Sequence, residues 1–175
     1  LFTSGTTGKA KGVMLCHRNF CTNVLTSWYS YKIGPRDVFL SILPMAHTYE
    51  MSIGMLYPFA MGAKVEYLQK VPTPSILIAT LAKIRPTAML SVPLIIEKIS
   101  RSSIVPTISK SKFLSYLDKH TKGLLYTMVG MKLKKTFGGR IGFFGIGGAK
   151  LDPEVEVFLK KTRFPYAIGY GLTET

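Results

Sequence analysis

Four hydroxyl side chains (Thr3, Ser4, Thr6, Thr7), three glycines (Gly5, Gly8, Gly12) and two lysines (Lys9, Lys11) fall within residues 1–12, with no acid among them. Glycine lets a backbone approach a bulky ligand and take up positive φ. Successive backbone N–H groups in such a turn form a concave anion site. Hydroxyls add hydrogen-bond donors, and lysine adds a mobile positive charge. The chemistry these groups suit is polyphosphate binding, although alone they also describe a flexible, solvated hairpin tip. At the other end, Gly169, Tyr170, Gly171, Thr173 and Glu174 supply complementary groups. Tyr170 can stack on a flat base, and Thr173 can donate to a phosphate oxygen. Glu174 can hold Mg²⁺, which commonly binds through one or two carboxylates plus substrate phosphates. Each is an ordinary turn residue by itself. Together the two clusters favour an ATP–Mg²⁺ site.

The first cluster is not the ordinary phosphate loop, whose pattern is G-x-x-x-x-G-K-[ST] opening into a helix. Gly5 is followed five residues later by Ala10, and Gly8 four later by Gly12. Val13-Met14-Leu15 then reads as a short strand. The cluster is therefore predicted at the tip of a β-hairpin, able to close over phosphates and release them.

The elements that must position these groups alternate along the chain. Residues 17–31 have apolar side chains at helical spacing (Phe20, Val24, Leu25, Trp28, Tyr31). Residues 37–43 form an apolar run read as a buried strand, and 48–61 read as a buried helix. Across 38–63, His47 and Glu50 interrupt the apolar run, while Pro44 and Pro58 break its regularity, which excludes a membrane span. Strands are predicted at 63–68, 87–92, 141–146 and 166–168. Helices are predicted at 73–84 and 93–100, each with proline in its first turn, and from Asp152-Pro153-Glu154 to about residue 161. Residues 101–135, rich in Ser and Lys, read as a solvated helical excursion, with a basic membrane-surface or partner-binding patch as the alternative. The fold expected is α/β: a mixed, mostly parallel sheet flanked by helices. Ligands bind such sheets at strand C-terminal ends, where Gly147-Gly148-Ala149 and Gly169-Tyr170-Gly171 follow apolar strands.

Composition bounds the rest. The 175 residues suit one domain, and 47% hydrophobic content suffices for a core. The chain starts and stops inside motifs and is read as a piece cut at both ends, which leaves targeting signals unobservable. Net charge is +14. No RNP sequence, zinc pattern or heptad array accompanies it, so no nucleic-acid partner is expected. The basic surface would suit acidic lipid or the phosphates of coenzyme A. Cys16 and Cys21 fit neither C-x-x-C nor a zinc spacing. They are expected to be reduced and mostly buried in an intracellular, cytoplasmic protein. His17 and His120 read as helix start and solvated segment.

Residues 3–12 resemble the AMP-binding signature of adenylate-forming enzymes, with Ala10 where the usual form has proline. Gly169 to Glu174 is similar to the second core motif of that superfamily, and Gly148-Ala149 to its adenine-side turn. Leu43-Pro44-Met45-Ala46-His47 resembles its L-P-x-x-H segment. Ser91-Val92-Pro93, Glu97-Lys98-Ile99 and Gly147-Gly148-Ala149 with Leu151 look most like long-chain fatty acid–CoA ligases, with Lys150 standing where proline is frequent. The resemblance implies part of the large domain of such an enzyme. It also implies ATP contacts from Thr3, Ser4, Gly5, Thr6, Thr7, Gly8, Lys9, Lys11, Gly148, Ala149, Gly169, Tyr170, Gly171 and Thr173. Glu174 and Ser4 would be metal ligands, and His47 would lie near the acyl carboxylate. Thr173, Glu174 and Lys11 would carry the catalysis.

The implied reaction activates a long-chain fatty acid with ATP, then transfers the acyl group to coenzyme A. Family members also use a lysine from a small C-terminal domain absent from these residues, so this chain alone is expected to turn nothing over. A non-catalytic nucleotide- or anionic-surface-binding module, a ligase with another carboxylate substrate, and a phosphohydrolase are the alternatives.

Overall fold

A computed structural model describes residues 1–4, 10–100 and 122–174. Five strands form one wholly parallel sheet: β3 (Val38–Ser41), β4 (Lys64–Tyr67), β5 (Ala88–Ser91), β6 (Phe143–Ile146) and β7 (Tyr166–Ile168). Their spatial order is β4-β3-β5-β6-β7. The first two strands, β1 (Phe2–Ser4) and β2 (Ala10–Gly12), pair only with each other, antiparallel.

The strand order explains the layers. β3 lies inside the sheet, with β4 added on one side and β5, β6 and β7 on the other. Parallel crossovers are almost always right-handed, so reversing the direction of growth puts the connecting helices on the opposite face. Alternating strand residues record both faces. Leu40, Met89 and Phe144 enter a core with Leu77, Leu81, Ile96, Val129, Leu133 and Leu159. These come from α3 (Pro74–Ile84), α4 (Pro93–Ile99), α5 (Lys122–Thr136) and α6 (Pro153–Lys161). Phe39, Ala88 and Phe143 face the other way. They meet Val24 and Trp28 of α1 (His17–Ser30), Ile53 of a π-helix (Glu50–Leu56) and Tyr57 of α2 (Tyr57–Ala60).

Local signals set several boundaries. Thr73 accepts from the Ile76 N–H, and Asp152 from the Glu154 N–H, each just before a first-turn proline. Glu154 and Glu156 begin α6, and Lys160 and Lys161 end it, complementing the helix dipole.

Four expectations are corrected. Val13-Met14-Leu15 is not a strand: β2 ends at Gly12, and only Val13 extends the ladder, exchanging backbone hydrogen bonds of 2.7 and 2.9 Å with Leu1. The helix expected at 48–61 runs over 48–60, but its middle, Glu50–Leu56, is a π-helix, with the Tyr57 N–H on the Ser52 carbonyl. Cys16 and Cys21 are exposed, because α1 turns only a narrow stripe to the sheet and buries no residue fully. Of the excursion at 101–135, residues 101–121 lie outside the described residues. The remainder is not simply solvated: α5 buries Leu125, Val129 and Leu133, one turn apart, in the main core. Among the described residues, no helix is long and apolar enough to cross a membrane.

Candidate functional site

The point where strand order reverses leaves a crevice at the C-terminal ends of β3 and β5. A cavity of about 870 Å³ occupies it. Ile42, Leu43 and His47 come from the loop after β3, and Leu77 from α3. Val92, Ile95, Lys98 and Ile99 come from the loop after β5 and from α4, and Gly147 and Gly148 from the turn after β6. The lining is mainly aliphatic, with His47 and Lys98 as its ionisable groups besides Tyr49. This suits a hydrocarbon ligand with one polar end.

The loop after β3 turns sharply, the His47 N–H donating to the Pro44 carbonyl at 3.0 Å. The His47 side chain is exposed. Tyr49, two residues on, lies against three glycines. A Cβ on Gly147 would stand 3.1 Å from its ring, one on Gly169 3.7 Å away, and one on Gly145 2.7 Å from its hydroxyl. The ends of β6 and β7 thus form a slot for one phenol. Burial, reinforced by Glu50, pushes that phenol above its ordinary pKa.

Glu50 is the least expected group here. It is buried under the start of the π-helix, where its Oε1 accepts from Ser41 Oγ. Burial pushes its carboxyl up to about 7, against a lowering by the Ser41 hydrogen bond.

The remaining sequence-predicted residues separate into two places. Gly148 lines the cavity and sits at φ +85°, and Ala149 beside it is exposed. Gly169 continues the ladder, its N–H donating to the Ile146 carbonyl at 2.8 Å. Tyr170, Gly171 and Glu174 follow it on the surface, Tyr170 being 96% exposed, while Thr173 is half-buried. These follow the strand end and are not among the cavity-lining residues. On the hairpin, Thr3 is half-buried and stands opposite exposed Lys11. Gly5, Thr6, Thr7, Gly8, Lys9 and the side chain of Ser4 lie outside the described residues. β1 and β2 pair antiparallel, as the two arms of the predicted hairpin. Tyr49 and Ser41 were missed by sequence reasoning. Glu50 was noticed only as a charge interrupting an apolar run, and a carboxylate in such a run was the available signal.

The family pattern described as AMP-binding enzyme matches residues 1–175. The chain belongs to the AMP-binding enzyme family. Within this family it is 36% identical to long chain acyl-CoA synthetase 6, peroxisomal, of Arabidopsis thaliana, over 99% of this chain and 26% of that protein. It is 30% identical to long-chain-fatty-acid–CoA ligase 2 of Schizosaccharomyces pombe, over 100% of this chain and 28% of that one. Against ATP-bound MatB from Rhodopseudomonas palustris the TM-score is 0.72 at 26% identity, over 100% of this chain and 29% of that structure. The chain thus spans about a quarter of the length of these AMP-binding relatives. The likeness accords with the α/β fold expected from the sequence.

Proposed function

We propose that this chain is part of an AMP-forming ligase that activates a long-chain fatty acid with ATP and passes it to coenzyme A. The carrying observation is the aliphatic cavity at the sheet's reversal point, with His47 and Gly148 on its lining. Its volume of about 870 Å³ exceeds what a compact polar acid needs and is of the size that buries a drug-sized or larger apolar ligand. The similarity to long-chain acyl-CoA synthetases supports the same substrate class.

In this reading the acyl tail lies among Ile42, Leu77 and Ile99, with its carboxylate toward His47. A carboxylate oxygen attacks the α-phosphorus of ATP, the bond to the β,γ-unit breaks, and pyrophosphate leaves. The coenzyme A thiol, losing its proton, then attacks the acyl carbonyl, and AMP leaves. Neither step needs a protein nucleophile. The protein's contribution is orientation and neutralisation of phosphate charge. The hairpin with Lys11 would cover the phosphates, and Tyr170 would stack on the base. Glu174, with its exposed carboxylate, and Ser4 would hold Mg²⁺, an ion that commonly binds through one or two carboxylates plus substrate phosphates. The metal would neutralise phosphate charge when bound.

The test is exchange of labelled pyrophosphate into ATP by the full-length protein, with and without a long-chain fatty acid. Fatty-acid-dependent exchange with AMP as product is expected. Nucleotide binding without exchange would replace the ligase with a binding module, and ADP plus phosphate would replace it with a phosphohydrolase.

A further inference from the structure

Residues 42–49, which carry His47 and Tyr49, are tied at their base by one pair of side chains. Ser41, the last residue of β3, donates through Oγ to Oε1 of Glu50, the first residue of the π-helix. Both residues are buried, Glu50 to 1% exposure. The carboxyl fills the place a side chain would take at residue 54, since a Cβ there would stand 2.7 Å from Glu50 Cδ and Oε1. Gly54 therefore leaves the opening into which Glu50 folds. The second oxygen, Oε2, is buried without a hydrogen-bond partner, as is Ser52 Oγ.

That arrangement is costly, because a buried polar atom forgoes water and gains nothing in return. An apolar residue would cover the sheet at less cost. What the carboxyl supplies is a fixed end for the loop. The Met51 N–H reaches back to the His47 carbonyl at 2.9 Å, and the backbone then widens into the π-turn that starts at Glu50. Such turns are uncommon and occur frequently beside functional sites. The same loop carries Tyr49 into its glycine slot and His47 to the cavity.

We propose that Glu50 is a positioning residue whose bond to Ser41 holds His47 and Tyr49 at the carboxylate end of the acyl cavity. This rests on the acyl reading of that cavity. The experiment titrates the full-length protein with cis-parinaric acid and with the corresponding alcohol, in wild type, Ser41→Ala, Glu50→Leu and the double variant. Amide hydrogen exchange is followed on the same samples. Gly54→Ala, which displaces the carboxyl while keeping both partners, replaces Glu50→Leu if that variant does not fold. Each single variant should weaken the acid about tenfold, the scale of one lost hydrogen bond, and leave the alcohol within about twofold. The double variant should be no worse than the poorer single variant, because both remove one interaction. Equal weakening of acid and alcohol, or no weakening of either, overturns the proposal. If the wild type binds neither ligand, the acyl reading fails instead, and exchange decides the role of Glu50. Faster exchange confined to 42–49 upholds the latch, and unchanged or sheet-wide exchange overturns it.

Discussion

Tyr49 and Gly147 are shaped to one another: a single Cβ on Gly147 would stand 3.1 Å from the Tyr49 ring, closer than carbons normally settle. Gly147 is also held from below, its N–H donating to the Ser91 carbonyl at 3.0 Å. The ring must therefore yield if Gly147 gains a side chain. Gly147→Ala should cost about 1 kcal/mol of stability, the low end of overpacking. It should weaken binding of a long-chain fatty acid by more than that cost implies, because Tyr49 sits beside His47. Calorimetric melting and ligand titration on one preparation check both.

Glu50 gives stability a defined pH dependence. Its carboxyl stands at about 7 in the fold, raised by burial, against an ordinary 4.5. Ser41 on β3 faces it, and the neutral Tyr49 phenol is its neighbour. Between these values the folded chain keeps a proton that the unfolded chain gives up. The contribution of this group is therefore fully present below about pH 4.5, falls as pH rises towards 7, and then levels off. The loss is on the order of 3 kcal/mol. Glu50→Gln cannot ionise, so the difference between wild-type and variant melting temperatures should change between about pH 5 and pH 8. A constant difference would show that Glu50 does not titrate there.

The hairpin and the strand-end turn should separate by ligand in the full-length protein. Glu174→Gln should weaken adenylation most at limiting Mg²⁺, and Lys11→Ala should raise the ATP requirement. Losing a charge-assisted contact costs about 1.5–3 kcal/mol, so effects of roughly ten- to hundredfold in kcat/KM are expected. A Lys11→Ala variant that altered only the fatty-acid dependence would remove the hairpin from the phosphates.

Gly130 tests whether α5 is structural. A Cβ there would stand 2.1 Å from the Thr162 carbonyl oxygen, which is backbone and cannot swing aside. Gly130→Ala should force α5 away from the end of α6 at a cost of about 3 kcal/mol, the upper range of overpacking. Chemical denaturation measures it, and an unchanged midpoint would mean that the helices do not meet.

What the sequence disclosed was mostly local. Thr73-Pro74 and Asp152-Pro153 announce α3 and α6 because cap and first-turn proline act within one turn of chain. β3, β5 and β6 were legible because parallel strands covered on both faces become short apolar runs. α5 was misread because Leu125, Val129 and Leu133 stand among lysines, and only the sheet reveals which side of the helix is covered. The exposure of Cys16 and Cys21 escaped notice for the converse reason: an apolar stripe does not show how narrow its contact is. The Tyr49 slot joins residues far apart in the chain, and no spacing rule connects a tyrosine to glycines at the ends of two later strands. The π-helix was hidden because nothing in an apolar helical pattern shows Glu50 folding into the space above Gly54.

Trp28 is the chain's single tryptophan, and it sits half-buried in the smaller core, its ring edge-on to Tyr29 at 5.2 Å with Lys32 Nζ 5.1 Å from its centroid. Indole emission from this molecule therefore has one source. A red shift marks α1 lifting from the sheet, so a cuvette fluorimeter can follow that docking without any attached dye.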